Sequence, residues 1–351
     1  MSGVMHITGS ETPADMLAEL DALADRSDKV VSIGPAPKHE RCDCKTSVVR
    51  APLGSGAIAA AEIRGLTIDA DILHAWSQQA ASAAQWSAKG RPIILSLPHL
   101  RGVHQADVAI SGCFDGLWTL TVPTAPQRRV LITLGLAPER VFVLPPSARV
   151  PENASEHRGR IRRELGLDDD AVLLAAGGEM VHANGHKHAC WAHAMARILN
   201  DRVRLLFPSS GPAREAVENF SESTGHRRET FFTADRYAPR EALSAAEAAI
   251  FLQKHDCGVC PIADAMACGL PILASNRPEI ADCAPDREAA LLSDPGDMRQ
   301  ATDNLLKLAC DAELRESLGR RAAALAGEKF DPDGARAGLR DIYSAVLSEH
   351  S

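Results

Sequence analysis

The stretch AVLLAAGGEMVHANGHKHACWAHAMARILNDRVRLLFPSSG, residues 171–211, contains a strand, a turn, a helix and a second strand in that order. AVLLAA is a short unbroken apolar run, as a strand buried on both faces requires. Gly177 and Gly178 end it. HKHACWAHAMARILN then spaces its apolar residues three and four apart, which predicts a helix. The AsnGly pair at 184–185 stands before that helix, so His182 is expected to lie outside it. VRLLF resumes the apolar run and SerSerGly at 209–211 stops it. Two such strands joined by a helix form the βαβ unit of parallel sheets.

The same alternation continues in both directions. Downstream, PAREAVENFSEST (helix), TFFTA (strand), PREALSA (helix), AAIFLQ (strand), IADAMACG (helix), PILAS and AALLSD (strands) lead to three helical stretches, GDMRQATDNLLKLACD, AELRESLGRRAAALAGEK and DGARAGLRDIYSAVLSE. Upstream, VMHIT, KVVSIG, SVVRAPL, ADILHAW, PIILSLP, VAISG, LWTLTV and VFVLPP read as strands or strand ends. PADMLAELDALAD, GAIAAAEIR and SQQAASAAQWSAKG read as helices between some of them. PPSARVPENASEH, 145–157, is weak in periodicity and reads as a linker. The expectation is an α/β protein with two Rossmann-like parallel-sheet domains facing a cleft. The first spans residues 1–148 and the second 149–351, with the last helix returning to the first domain.

At 351 residues the chain is long enough for two domains that each bury a core. Its formal charge of −8 argues against nucleic acid as a partner. The N-terminus turns polar too early for a signal peptide, and no run of 18 or more apolar residues occurs, so a cytoplasmic protein without an integral membrane segment is expected. The candidate helices are Ala-rich and acidic or neutral, unlike a basic membrane-docking helix. Nine cysteines, an odd number spread thinly, do not form a disulfide framework.

In open parallel sheets, ligands bind beyond the carboxyl ends of the strands. The positions to examine are therefore GlyGlyGlu at 177–179, SerSerGly at 209–211, LQKHDCGV at 252–259 and AlaSerAsn at 274–276. The third runs into HDCGVCPIADAMACGLPILAS, 255–275, which carries both a CxxC, Cys257 and Cys260, and two aspartates, Asp256 and Asp264, with seven residues between them. A four-ligand zinc site needs a second cysteine pair, and the nearest is the CxC of Cys42 and Cys44. The histidines of HANGHKHACWAH, His182, His186, His188 and His193, read as ordinary ones, and no metal site is predicted. A loop that turns into a helix start offers N–H groups and a positive dipole end to a diphosphate, and two carboxylates can accept hydrogen bonds from sugar hydroxyls. An acidic residue early in a helix also serves merely to complement the dipole.

RRELGLDDDAVLLAAGG, HACWAHAMARILNDRVRLLFPSSGP, AEAAIFLQ, DAMACGLPILAS, AALLSDPGDMRQATDNLLKLACDAELRESLGRRAAALAGEKFD and IYSAVL fall in the order shown by the retaining glycosyltransferases of family 4, which the second half resembles. DADILHAWS, GRPIILSLP and GLAPERVFVLPPSARV match more loosely. The resemblance implies the GT-B fold and metal-independent, retaining transfer of a sugar, a hexosyl group above all, from a nucleotide-sugar co-substrate to an acceptor, without a further cofactor. The family's donor motif is two glutamates with seven residues between them; Asp256 and Asp264 stand there, before Ala265, Met266, Ala267, Gly269 and Pro271. Carried over, Asp256 holds hydroxyls of the donor sugar and Asp264 the ribose. Cys257, Gly258, Val259 and Cys260 line the donor turn, with Gly178, Glu179, Asn184 and Lys187 at the other side. His99, with Pro98 before it, stands near the family's histidine facing the sugar or the acceptor.

The chain also departs from the family. Both acids are one methylene short. Glu179 and Asn184 occupy positions where the family has an Arg and a Lys against the leaving diphosphate, and Lys187 or Lys254 is a candidate replacement. GSETP at 9–13 lacks the paired glycines of the first turn, and Pro146 and Ser147 replace Asn and Gly at the hinge. A degenerate GT-B protein that binds nucleotide or sugar without transfer is the alternative, and a cysteine or metal function at Cys257 and Cys260 a third.

Overall fold

The computed structural model describes residues 3–9, 12, 14–24, 28–33, 45–49, 70–100, 118–255 and 258–350. The chain divides into two compact units, residues 1–147 with 332–351, and residues 148–331.

In the first unit, β1 (Val4–Gly9), β2 (Lys29–Ile33), β3 (Lys45–Val49), β4 (Ile72–Ala75), β5 (Ile93–Ser96), β6 (Trp118–Val122) and β7 (Val141–Val143) form one sheet. Its order is β3-β2-β1-β4-β5-β6-β7 and every pairing is parallel. β4 and β5 are buried at every position, which is why they read as unbroken apolar runs. Among the described residues of 1–147, the helices are α1 (Ala14–Leu23), α2 (Gln78–Ser87) and α3 (Ala125–Thr133). The expected strand VAISG and helix GAIAAAEIR lie outside the described residues, as do Cys42 and Cys44.

The second unit starts with α4 (Ala154–Glu164). Its sheet holds β8 (Val172–Ala175), β9 (Val203–Phe207), β10 (Thr230–Phe232), β11 (Ala248–Phe251), β12 (Ile272–Ser275) and β13 (Ala290–Ser293). The order is β10-β9-β8-β11-β12-β13, again all parallel. α5 (His186–Arg197), α6 (Arg214–Ser223), α7 (Pro239–Leu243), α8 (Cys260–Ala267), α9 (Pro278–Cys283), α10 (Met298–Cys310) and α11 (Ala312–Lys329) complete it. One core lies on each face of this sheet: Phe251, Ile262, Met266 and Phe330 in one, Phe207, Ile250, Leu305 and Leu308 in the other.

The last helix, α12 (Pro332–His350), packs on the first unit. Ala335, Leu339, Ile342 and Val346, spaced three and four apart, join Leu20, Leu23, Ile72 and Trp76 in one buried cluster.

Three helices depart from the sequence reading. α4 begins inside the segment read as a linker. Arg158 and Arg162 on it both bind Glu247, whose carboxylate also accepts the amide of Leu173. That charge pairing fastens α4 to the sheet and leaves no trace in hydrophobic periodicity. α3 is set by a capping box in which Thr124 and Gln127 satisfy each other's backbone amides. α9 starts at Pro278, which needs no amide partner in a first turn.

α8 ends in a Schellman motif: Gly269, at φ 72°, donates to Met266 O (2.9 Å) and Leu270 to Ala265 O (3.1 Å). Gly319 of α11 packs on this end so closely that a Cβ there would lie 2.3 Å from the Gly269 carbonyl oxygen. Gly319→Ala is expected to cost about 1–3 kcal/mol and lower the melting temperature by several degrees. Gly327→Ala on the same helix, where a Cβ meets nothing within 4 Å, is expected to leave it unchanged or raise it. A calorimetric scan of the two variants checks the pair.

Candidate functional site

Strand order in the second sheet reverses between β8 and β11, since the chain leaves β8 towards β9 and β10 and later returns to lay β11 on the other side. The loops beyond the carboxyl ends of β8 and β11 therefore part and leave a crevice, the place where open parallel sheets bind ligands.

The β8 loop is held rigidly. Gly177 lies against the Phe251 ring, where a Cβ would come within 2.9 Å. Gly178, at φ 84°, turns the chain, and a Cβ there would lie 3.4 Å from Asn184 Nδ2 and 3.5 Å from Pro261 Cγ on α8. Met180 is clamped to the next loop by its amide, which donates to Ser210 O (3.0 Å), and by its carbonyl, which accepts from Ala213 N (2.8 Å). His182–Asn184 form a 3-10 turn and α5 begins only at His186. Gly185, at φ 75°, joins the two, and a Cβ on it would sit 1.9 Å from Leu252 O. Only glycine allows that approach. Asn184 Nδ2 donates to Glu179 O (2.7 Å), while its buried Oδ1 has no partner. Glu179 itself is exposed.

Across the crevice, buried Gln253 donates through Nε2 to Gly258 O (3.5 Å). Gly258, at φ 89°, turns the chain into α8, whose start has no side-chain cap. Val259 and Cys260 are buried there. Asp256 and Cys257 lie outside the described residues. Asp264 is the third residue beyond Pro261, and its Oδ1 lies 2.9 Å from Arg240 Nε of α7. The contact is a charge pair, not an aligned hydrogen bond. Burial pushes the Asp264 pKa up, and the guanidinium opposes it.

Besides Arg240, Lys254 and Arg277 are cations at this end of the sheet. The amide of Lys254 meets Ala183 O (3.4 Å), which brings residue 254 beside the 3-10 turn. Arg277, beyond β12, donates from Nη1 to Lys254 O (3.2 Å) and pairs through Nε with buried Glu279 (3.1 Å). Lys187 is exposed on α5, with its ammonium 5.9 Å from the Phe220 ring of α6. No contact joins it to Gly178 or Asn184. In the first unit, His99 lies three residues beyond β5, half-buried. At the segment read as a hinge, the Ser147 amide donates to both oxygens of buried Glu19 (2.8 and 2.9 Å).

The histidines go separate ways. His188 Nδ1 donates to Leu252 O (3.3 Å) and His193 Nε2 to Val203 O (3.3 Å). His186 is buried against Phe207 without a hydrogen bond, and desolvation pushes its pKa down to about 4, opposed by the main chain at Gly177 and Gly178. Among the described residues no group of three metal-ligating side chains converges.

Arg240, Arg277, Gln253 and His186 escaped the sequence reading. Arg240 and Arg277 had a signal available, since each adjoins a proline that opens a short helix at a strand's carboxyl end.

Two Rossmann-like units with parallel sheets, the second followed by a helix that returns to the first, make up the GT-B fold of glycosyltransferases. The likeness to solved structures agrees: HepE of Anabaena in complex with UDP-glucose superposes with a TM-score of 0.85 over 98% of this chain and 100% of that one, at 15% identity. Residues 157–325 match the family described as Glycosyl transferases group 1. Among curated proteins, D-inositol 3-phosphate glycosyltransferase of Acidothermus cellulolyticus is 26% identical over 263 residues, 72% of this chain and 57% of the relative. N-acetyl-alpha-D-glucosaminyl L-malate synthase of Bacillus anthracis is 22% identical over 195 residues, 54% and 50% respectively. The matches span about half the length of these relatives. The family match covers just under half of the chain, and the likeness to solved structures concerns the fold. No helix among the described residues is long and apolar enough to cross a membrane.

Because the folded Asp264 titrates above its unfolded value, it weakens the fold as pH rises from the unfolded pKa through the folded one. Removing Arg240 raises the folded value further and extends that window upward. Arg240→Gln is expected to destabilise the protein more at pH 7 than at pH 4, with the Asp264 carboxyl titrating at higher pH in carbon-detected NMR. An unchanged Asp264 titration would refute the pairing.

Proposed function

We propose that this chain transfers a sugar from a nucleotide-sugar to an acceptor hydroxyl, with retention and without a bound metal or further cofactor. The observation that carries the reading is the glycine-lined crevice at the reversal point of the second sheet, where Gly178 packs against the uncapped start of α8. Main-chain amides of the Gly258–Cys260 turn would face the diphosphate, and the dipole of α8 would favour its charge.

Transfer breaks the bond from the sugar's C1 to the phosphate oxygen and leaves negative charge on the departing nucleoside diphosphate. That charge needs stabilising, and preorganised donors do this best. With Glu179 and Asn184 at one side, the positive charge comes from Lys254 and Arg277. Arg277 suits the role because Glu279 and the Lys254 carbonyl fix its Nε and Nη1 while Nη2 is left for a ligand. Asp264, paired through Oδ1 with Arg240, offers Oδ2 to the ribose hydroxyls, and Asp256, by its spacing, serves the hydroxyls of the donor sugar. His99 is assigned to the sugar or acceptor side. The UDP-glucose named with HepE makes UDP-sugars the first donors to try.

Calorimetric titration with UDP and with uridine, followed by assay of UDP-glucose turnover, tests the reading. UDP is expected to bind, Asp264→Asn to weaken both ligands by about tenfold, and Lys254→Ala with Arg277→Lys to weaken UDP by tenfold or more while sparing uridine. Failure of UDP, GDP and ADP alike to bind would sink the reading. Binding without turnover of any donor would favour the alternative of a GT-B protein that has lost transfer, for which the exposed Glu179 carboxylate speaks.

A further inference from the structure

We propose that His186 is a positioning residue for the leaving diphosphate: it holds the carbonyls of the Gly177–Gly178 turn inward, so that the Gly178 amide faces the phosphate oxygens. The inference rests on the donor-site reading above, and it adds a neutral donor on the side of the crevice where Glu179 and Asn184 stand. His186 is the first residue of α5, reached through the left-handed Gly185, and it is 3% exposed. Its ring lies 5.6 Å from that of Phe207 at the carboxyl end of β9, next to the strand that feeds the β8 loop. Neither ring nitrogen has a hydrogen-bond partner. A leucine would fill the same space without the cost of a buried, unbonded polar ring. Such a group points to a bond that the chain completes only in another state.

The acceptors are at hand. The main chain of Gly177 and of Gly178 opposes the fall of the ring's pKa, as a carbonyl oxygen does when it faces an imidazole N–H, so both carbonyls lie towards the ring. A trans peptide sets its N–H opposite its C=O, and no peptide among the described residues is cis. The Gly178 amide therefore points away from His186. A Cβ on Gly178 would lie 3.5 Å from Pro261 Cγ, which puts that amide beside the uncapped start of α8. Among the described residues it meets no acceptor. An anion bonded to the amide polarises the peptide and makes its carbonyl the stronger acceptor, so diphosphate on one side and the imidazole N–H on the other reinforce each other. The neutral ring has one N–H to give, enough to fix the peptide in this sense.

Calorimetric titration of the full chain and its His186 variants with UDP and with uridine tests this. His186→Leu is expected to weaken UDP about tenfold, to leave uridine within about twofold, and to melt at the same temperature or higher, because it removes a buried polar ring that has no bond. A residue that only propped the fold would lower melting temperature and both affinities together. His186→Asn and His186→Gln carry an amide nitrogen near the places of Nδ1 and Nε2, and one of them should bind UDP at least about threefold more tightly than His186→Leu. In ¹⁵N-labelled protein UDP should move the Gly178 amide proton downfield in the wild type and not in His186→Leu. Wild-type affinity for UDP in His186→Leu, an equal loss of uridine, or Asn and Gln variants no better than Leu would overturn the inference and leave the donor-site reading standing. A wild type that binds none of UDP, GDP and ADP overturns both.

Discussion

The Leu252 carbonyl oxygen occupies the space that a Cβ on Gly185 would need, and the architecture of the second unit's crevice depends on that contact. β8 and β11 are neighbours whose following loops run in opposite directions along the sheet. The β8 loop can open a crevice only if its far end is brought back against β11 before α5 starts. Gly185 does this in one left-handed residue. Met180, tied to Ser210 and Ala213, holds the near end. The loop between the two clamps has no freedom to swing a long side chain towards the α8 start. Polar groups for a ligand there come from the loop's main chain, from Asn184, or from the strands alongside. The placement of Lys254 and Arg277 follows from the same geometry, because residue 254 is the second past the clamp and its carbonyl anchors the guanidinium.

The strands were legible in the sequence because parallel sheets bury both faces, and six-residue apolar runs between Gly and polar turns have few other uses. α5 and α12 were legible through apolar spacing. α4 was not, because only Ile161 of it is fully buried and its hold on the sheet is ionic, through Glu247. α3 and α9 are short helices set by a capping box and a proline, features visible only when sought one residue at a time. At the site, the glycines and the aspartate of α8 could be read from turn chemistry and spacing. Arg240 and Arg277 had only the prolines that open α7 and α9 to mark them, and no local pattern encodes the pairing of Arg240 with Asp264, reached across two helices.

At the α8 turn sulfur and carboxylate alike lose water. Cys260 is buried, and burial with the nearby Asp264 carboxylate pushes the Cys268 thiol up to about 12. A thiol so disposed stays protonated near neutral pH and is a poor nucleophile or metal ligand. Asp264 faces the same desolvation, and the Arg240 guanidinium, 2.9 Å from its Oδ1, opposes the upward push on the carboxyl as it does on the Cys268 thiol.

The first unit shows the complementary use of buried polarity. His74 on β4 bonds through Nδ1 to the Tyr343 hydroxyl of α12 (2.7 Å) and through Nε2 to Ser96 of β5 (2.8 Å), which in turn meets Thr121 of β6 (2.6 Å). A neutral imidazole has one donor and one acceptor, so one hydroxyl must donate to it and the other accept. Burial and the neighbouring His6 hold the His74 pKa well below the usual value, which keeps the ring in that neutral form. The chain of groups therefore runs unbroken from α12 into three strands. Apolar packing of Ala335, Leu339, Ile342 and Val346 would tolerate a slide or a quarter-turn of α12, whereas a hydroxyl that must meet a buried imidazole nitrogen tolerates neither. Segregation of α12 from the second unit that precedes it in sequence thus rests on apolar area for its strength and on Tyr343 for its register.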